Sequence, residues 1–274
     1  VASGIVFGLR AIAVTAVTVI ACVVFEAGYC KLTNKPIPVG DLSAVVTGMI
    51  LAFNLPSTIP LWIAVVGAFV AIVVTKQLFG GLGMNFANPA LVGRIALAVG
   101  FAGRMTTYGI PKTTGVDAFT SATPLAAGVS GIDALPELLL GLHGGVLGET
   151  CAAALILGGI YLVATKTISA AIPVSYIGTV AVLSVVFGQD PLLQVLSGGL
   201  LLGAIFMATD YVTSPFTLKG KIVFGVCLGI ITCAIRFWGN MAEGVSFSIL
   251  IMNLFVPYIN RLTRQVPLGG GKKK

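Results

Sequence analysis

The sequence has 274 residues, of which 57% are hydrophobic and 9% charged, with a mean hydropathy of +1.05 and a formal net charge of +7. A soluble globular domain is about one-quarter charged, so this composition excludes one and points to a single integral membrane domain. The basic residues cluster at the ends of apolar segments, without interleaved aromatics. That pattern fits membrane topology and excludes a nucleic-acid partner.

A helix that crosses a bilayer needs roughly 20 apolar residues, fewer where protein shields it from lipid. In chain order, the apolar segments predict helices at 5–29, 42–55, 60–79, 89–102, 144–164, 172–187, 192–209, 221–236 and 244–260. Several are short and bounded by Gly and Pro, as expected of helices buried among others. The fold class is therefore an all-α polytopic membrane protein with about nine transmembrane helices. Alternate threading puts Lys31, Lys35, Lys76, Arg94, Lys166, Lys219, Lys221, Arg261 and Arg264 on one face, with the Lys272–Lys274 tail. The other face receives Arg10, Arg104, Lys112 and Arg236. The richer face is expected to be cytoplasmic, which turns the 103–143 loop outward.

An internal repeat divides the chain. Gly80-Gly81-Leu82-Gly83 leads to Asn85-Phe86-Ala87-Asn88-Pro89, and Gly198-Gly199 leads to Asp210-Tyr211-Val212-Thr213-Ser214-Pro215. Each knot of polar residues and proline separates two apolar segments, the arrangement of repeat-built transporter folds with interrupted helices. The expected organisation is a first helical repeat over 1–102, the loop over 103–143, a second repeat over 144–261 and a disordered basic tail over 262–274. Four segments precede the loop and five follow it, and the chain starts at Val1 without Met. A parent of ten helices in two inverted five-helix repeats, with the first helix outside this sequence, is the expectation. The five cysteines, Cys22, Cys30, Cys151, Cys227 and Cys233, lack C-x-x-C spacing. They read as small packing residues, or as ligands of an intramembrane iron–sulfur cluster shared with a partner.

The loop holds the chemistry. Asp117-Ala118-Phe119-Thr120-Ser121-Ala122-Thr123-Pro124 resembles the acceptor sequence on which a flavin transferase esterifies FMN phosphate to a threonine hydroxyl, here Thr123. Asp117 and Thr120 would serve recognition, and small Ser121 and Ala122 would let the segment thread the transferase. A Thr before Pro is equally a natural helix N-cap. The two readings are compatible, since a phosphate at a helix N-terminus meets free N–H groups.

This acceptor segment, Gly83-Met84-Asn85-Phe86-Ala87-Asn88-Pro89-Ala90 and Ala208-Thr209-Asp210-Tyr211-Val212-Thr213-Ser214-Pro215 occur in one order across the chain. Together they resemble the family that holds the D subunits of Rnf complexes, the ion-translocating ferredoxin:NAD oxidoreductases, and the B subunits of sodium-pumping NADH:quinone oxidoreductases. The Ser-Ala-Thr-Pro-Leu form of the acceptor favours the Rnf branch. The resemblance implies a ten-helix fold, covalent FMN on an outward threonine, and a second, non-covalent flavin such as riboflavin or FMN. It also implies iron–sulfur and flavin subunits as partners, a flavin transferase for maturation, and residence in a bacterial or archaeal cytoplasmic membrane. A channel or secondary transporter of similar repeat fold is the alternative.

Four further residues are candidates for the second flavin or an ion path: Asn85, Asn88, Glu149 and Asp210. Acids in a span are expensive and face cavities or partners. Glu149, expected in the first turns of the 144–164 helix, could instead complement the helix dipole. Asp210 could cap the turn into Tyr211, and the two asparagines could cap interrupted helices. Arg104, Lys112 and His143 are candidates to pair with the phosphate or with partner carboxylates.

Overall fold

In the computed structural model the described residues are 2–109, 123–127, 132, 135–239 and 244–264. Among them the regular structure is helical throughout. Three helices are long and apolar enough to cross a membrane: α1 (Leu9–Leu32), α11 (Leu218–Trp238) and α12 (Gly244–Leu262). Between α1 and α11, in chain order, lie α2 (Ser43–Phe53), α3 (Leu61–Phe69), α4 (Pro89–Gly100), α5 (Pro124–Ala127), α6 (Leu135–Leu140), α7 (Ala152–Ala164), α8 (Ala171–Val186), α9 (Pro191–Leu196) and α10 (Leu200–Leu202). The chain is a polytopic membrane protein.

Three expected segments differ in detail, each for a local reason. Segment 5–29 is divided at Gly8, whose φ of 74° belongs to the left-handed region. The 144–164 helix starts only at Ala152, because residues 146–148 pair with the backbone of another segment. Segment 192–209 is two short helices separated by Ser197, Gly198 and Gly199; both glycines have positive φ, 67° and 69°.

The halves share a construction. α2 ends at Phe53, an irregular stretch follows, and α3 resumes and widens into a π-helix over Val70–Gln77. α9 ends at Leu196, the Ser197–Gly199 break follows, and α10 widens into a π-helix over Gly203–Met207. Carbonyls left open at a break must find donors inside the protein. Each break takes an arginine. Arg10 donates through Nε to the Ser57 carbonyl (3.0 Å) and through Nη2 to that of Thr58 (3.1 Å). Arg236 donates to the carbonyls of Gln194, Ser197 and Gly198 at 2.6, 3.2 and 2.9 Å.

Packing is tightest in the second half, where α8 lies along α11. Small residues let the two backbones approach: a Cβ at Gly225 would overlap Ser175 Oγ, and one at Gly229 would lie 2.6 Å from Thr179 Cβ. The halves meet where α4 packs on α12. There Arg94 donates to Asn54 Oδ1 and Ser246 Oγ, both at 2.8 Å. Arg94 and Lys76, expected on the basic face, are both buried.

Candidate functional site

Thr123 immediately precedes the α5 turn, which opens with Pro124, and residues 128–131 after it lie outside the described residues. Thr123 is 7% exposed. The turn is fixed by Leu125, which packs with Leu138 of α6 and Leu193 and Leu196 of α9. Asp117, Thr120, Ser121, Ala122 and Lys112 lie outside the described residues.

The surface that receives this turn is the second helix break. Asp190 caps α9, its Oδ1 accepting from the N–H groups of Leu192 and Leu193 at 2.9 and 3.3 Å, with Pro191 in the first helical position. At the other end Arg236, in the last turn of α11, also donates to Gln194 Oε1 at 3.1 Å. Gly198 must be glycine on three counts. Its φ is 67°, and a Cβ would overlap Arg236 Nη2 and stand 3.1 Å from Leu125 Cδ2. One residue thus lies against both the acceptor turn and a half-buried cation.

Glu149 stands on the other side of this break. It is buried, and a Cβ on Gly199 would lie 3.7 Å from its Oε2. It is not in the first turn of a helix, as expected, but in the Val146–Thr150 turn that precedes α7. That turn is held by Leu147 N–H on the Leu55 carbonyl (3.0 Å) and Gly148 N–H on the Phe53 carbonyl (2.7 Å). The Glu149 turn therefore touches both helix breaks. His143 is buried beside it, with Nδ1 3.1 Å from the Gly144 carbonyl. Burial pushes its pKa below the usual 6.5, against the opposing effect of the Gly144 and Thr150 backbones and of Glu137. A neutral imidazole is a poor partner for a phosphate. Arg104 lies within the short Ala102–Met105 turn.

Asn85, Asn88 and Asp210 form a separate group where the two polar knots meet. Asn88 caps α4, its Oδ1 accepting from Ala90 and Leu91 N–H at 3.0 and 3.4 Å, while its Nδ2 donates to the Met207 carbonyl at 3.4 Å. Asn85 Nδ2 donates to the Ala87 carbonyl at 3.0 Å. Asp210 accepts from Val212 N–H at 3.3 Å and from Thr213 Oγ1 at 3.1 Å. Asn253 joins the two knots: in the orientation that satisfies both ends of its amide, it accepts from Asn88 N–H and donates to the Thr213 carbonyl, both at 3.1 Å.

Sequence reasoning missed Arg236, Asn54, Arg94, Asn253 and the buried pair Glu26–Lys76. Glu26 had a visible signal, as the only acid in α1. The partners had none, because they are 40 to 152 residues apart in sequence.

Residues 1–269 match the family described as NQR2, RnfD, RnfE. The chain is 49% identical to the D subunit of the Na(+)-translocating ferredoxin:NAD(+) oxidoreductase complex of Acetobacterium woodii, over 99% of this chain and 87% of the relative. It is 42% identical to the D subunit of the proton-translocating ferredoxin:NAD(+) oxidoreductase complex of Clostridium ljungdahlii, over 96% and 85%. With the D subunit of the ion-translocating oxidoreductase complex of Stutzerimonas stutzeri it shares 37% identity, over 94% and 84%. With two half-bundles of interrupted helices and a family match along nearly its whole length, this chain belongs to the NQR2, RnfD, RnfE family.

Proposed function

We propose that this chain is the D-type membrane subunit of an ion-translocating ferredoxin:NAD oxidoreductase and carries FMN as a phosphoester on Thr123. The observation that carries the reading is the docking of the acceptor turn: Thr123-Pro124-Leu125 is seated through Leu125 on the break at Gly198, which also holds Arg236. The residues present fit the group in part. Thr123 offers the hydroxyl for the ester, and Arg236 places a fixed positive charge beside the turn. The guanidinium already serves the break carbonyls, so its contribution to a phosphate is a long-range field. Because Thr123 is buried, a flavin transferase acts on the segment before the turn docks, or opens it. FMN supplies one- and two-electron chemistry that side chains do not. The chain's own residues set where the tether begins and hold it against one end of the bundle.

In this reading the Thr123 end faces outward and the Lys31, Lys166 and Lys219 end faces the cytoplasm, since positive charge is retained inside. Partner subunits hold the iron–sulfur and other flavin centres. A non-covalent flavin, if this subunit carries one, falls beside the Asn85–Asn88 and Asp210 knots, where Phe79 and Phe86 pair at 4.8 Å and Tyr211 is exposed. The asparagines there shape the surface, because their amides are bonded within the protein. The Acetobacterium and Clostridium relatives translocate different ions by name, sodium and the proton.

Fluorescence of the denatured subunit after electrophoresis tests the flavin assignment. Wild type is expected to fluoresce and Thr123→Ala to be dark while still assembling. A fluorescent Thr123→Ala band removes the assignment.

A further inference from the structure

The connection between α7 and α8, residues 165–170, holds a lysine in an unfavourable conformation. Helices α1, α7 and α8 end in the same way, with the chain turning through one left-handed residue. At the end of α8, Gly188 N–H donates to the Val185 carbonyl at 3.1 Å and Gln189 N–H to that of Ser184 at 2.8 Å. At the end of α1, the N–H groups of Asn34 and Lys35 make the equivalent bonds to Lys31 and Cys30. At the end of α7, Lys166 N–H donates to the Val163 carbonyl at 3.0 Å and Thr167 N–H to that of Leu162 at 2.9 Å. Glycine and asparagine are the usual residues of that position, because a Cβ crowds the following carbonyl there. Lys166, with a φ of 57°, is neither. A lysine elsewhere in the last turn would complement the helix dipole without that strain. Lys166 is exposed, so packing does not account for its place.

Beside this turn lies a groove of about 630 Å³ between α7 and α8. Its described walls are apolar: Ile156, Ile160 and Val163 from α7, Val174 and Ile177 from α8, and Ile205 from the π-helix Gly203–Met207. Ala164 and Ile168, which bracket the lysine in sequence, also line it. From Ile156 to Ala164 the groove follows α7 for about 12 Å, at 1.5 Å per residue. The hydrocarbon of one leaflet is about 15 Å deep, half of a 30 Å core. A partner helix that crossed the membrane would need about twice that length.

We propose that this groove binds one acyl chain of an anionic phospholipid, whose phosphate pairs with the Lys166 ammonium. An apolar lining one leaflet deep suits a hydrocarbon chain, and the charge at its end selects the headgroup. Two exposed tyrosines place the same turn at the membrane surface. Tyr211 OH donates to the Thr167 carbonyl, and the Tyr161 carbonyl accepts from Thr165 Oγ1 at 2.9 Å. Tyrosine is enriched where headgroups meet hydrocarbon, and basic residues at that level attract anionic lipid. The inference is independent of the flavin assignment, since the groove can hold a lipid whether or not Thr123 is modified.

The test uses the assembled complex in nanodiscs of phosphatidylcholine, doped with a phosphatidylglycerol analogue that carries a diazirine on one acyl chain. Illumination and peptide mapping are expected to place label within residues 152–186, several-fold more than the matching phosphatidylcholine analogue gives. Lys166→Gly suits the left-handed backbone and so does not threaten folding. It should lower the labelling about fivefold, the roughly 1 kcal/mol that one lysine contributes beside anionic lipid, whereas Lys166→Arg should keep it. Ile160→Trp, at an exposed position, fills the groove and should lower the labelling as well. Equal labelling by the two analogues would overturn the proposal, as would labelling that survives Lys166→Gly or Ile160→Trp. So would a segment that takes up label only after the complex is dissociated, which would put a partner's helix in the groove.

Discussion

The two halves of the bundle solve one problem with different chemistry. In the second half, three hydroxyls cross-link three helices: Tyr176 OH lies 2.6 Å from Thr232 Oγ1 and 3.2 Å from Ser248 Oγ, and Thr232 donates to Ser248 at 2.8 Å. Ser248 donates in turn to the Val245 carbonyl at 2.8 Å, so the chain of donors ends satisfied. In the first half, the corresponding interior holds a charged pair, Glu26 and Lys76, with one carboxylate oxygen left over. A neutral, closed network fixes helices in one arrangement. A charged, open one costs more to bury. The second half closes its polar network, and the first leaves a carboxylate oxygen open.

The comparison breaks first at the charges. Glu26→Leu leaves Lys76 buried without its partner and should cost about 3–5 kcal/mol, the penalty of an uncompensated buried charge. Adding Lys76→Met should restore most of that loss. Thermal unfolding in detergent at matched lipid content measures both, and equal destabilisation by the single and double variants would show that the pair is not the unit. Gly229→Leu should come next. It forces α8 and α11 apart at a contact already closed by Thr179, at about 1–3 kcal/mol for overpacking, and Gly229→Ala should cost less.

Tyr176→Phe should cost about 1–3 kcal/mol at most, because it strips a partner from buried hydroxyls that can still bond each other. A loss as large as that of Glu26→Leu would abolish the contrast between the halves. The smallest effect belongs to His143. Its folded pKa is depressed, so its contribution to stability is complete above the ordinary value of 6.5 and is lost as the pH falls from there through the folded value. His143→Gln should therefore flatten the fall in melting temperature between pH 7 and pH 5. A variant that follows the wild-type curve would show that His143 does not titrate with unfolding.

The helices were legible where composition alone makes them, and least legible where a long-range contact overrides it. The apolar runs of α1, α11 and α12 are unmistakable because lipid demands length and hydropathy. The late start of α7 was hidden because Leu147 and Gly148 spend their N–H groups on Leu55 and Phe53, some 90 residues away. The π-turns were hidden too, since Val70–Gln77 carries the same apolar pattern that an α-helix would. At the candidate site, Thr123 was singled out by the residues around it, whereas Arg236 looked like an ordinary end-of-helix charge. Its importance comes from the break at Gly198, and a pair of glycines in sequence does not say which side chain will close it.

The central claim is that Thr123 carries the flavin, and peptide mass analysis of the subunit from native membranes tests it most directly. Cleavage after lysine releases residues 113–166 as one fragment. The account requires that fragment to bear the mass of one FMN joined with loss of water, with fragmentation placing it on Thr123. An unmodified fragment, or FMN on Thr120 or Ser121, from complexes that couple ferredoxin oxidation to NAD reduction would contradict it.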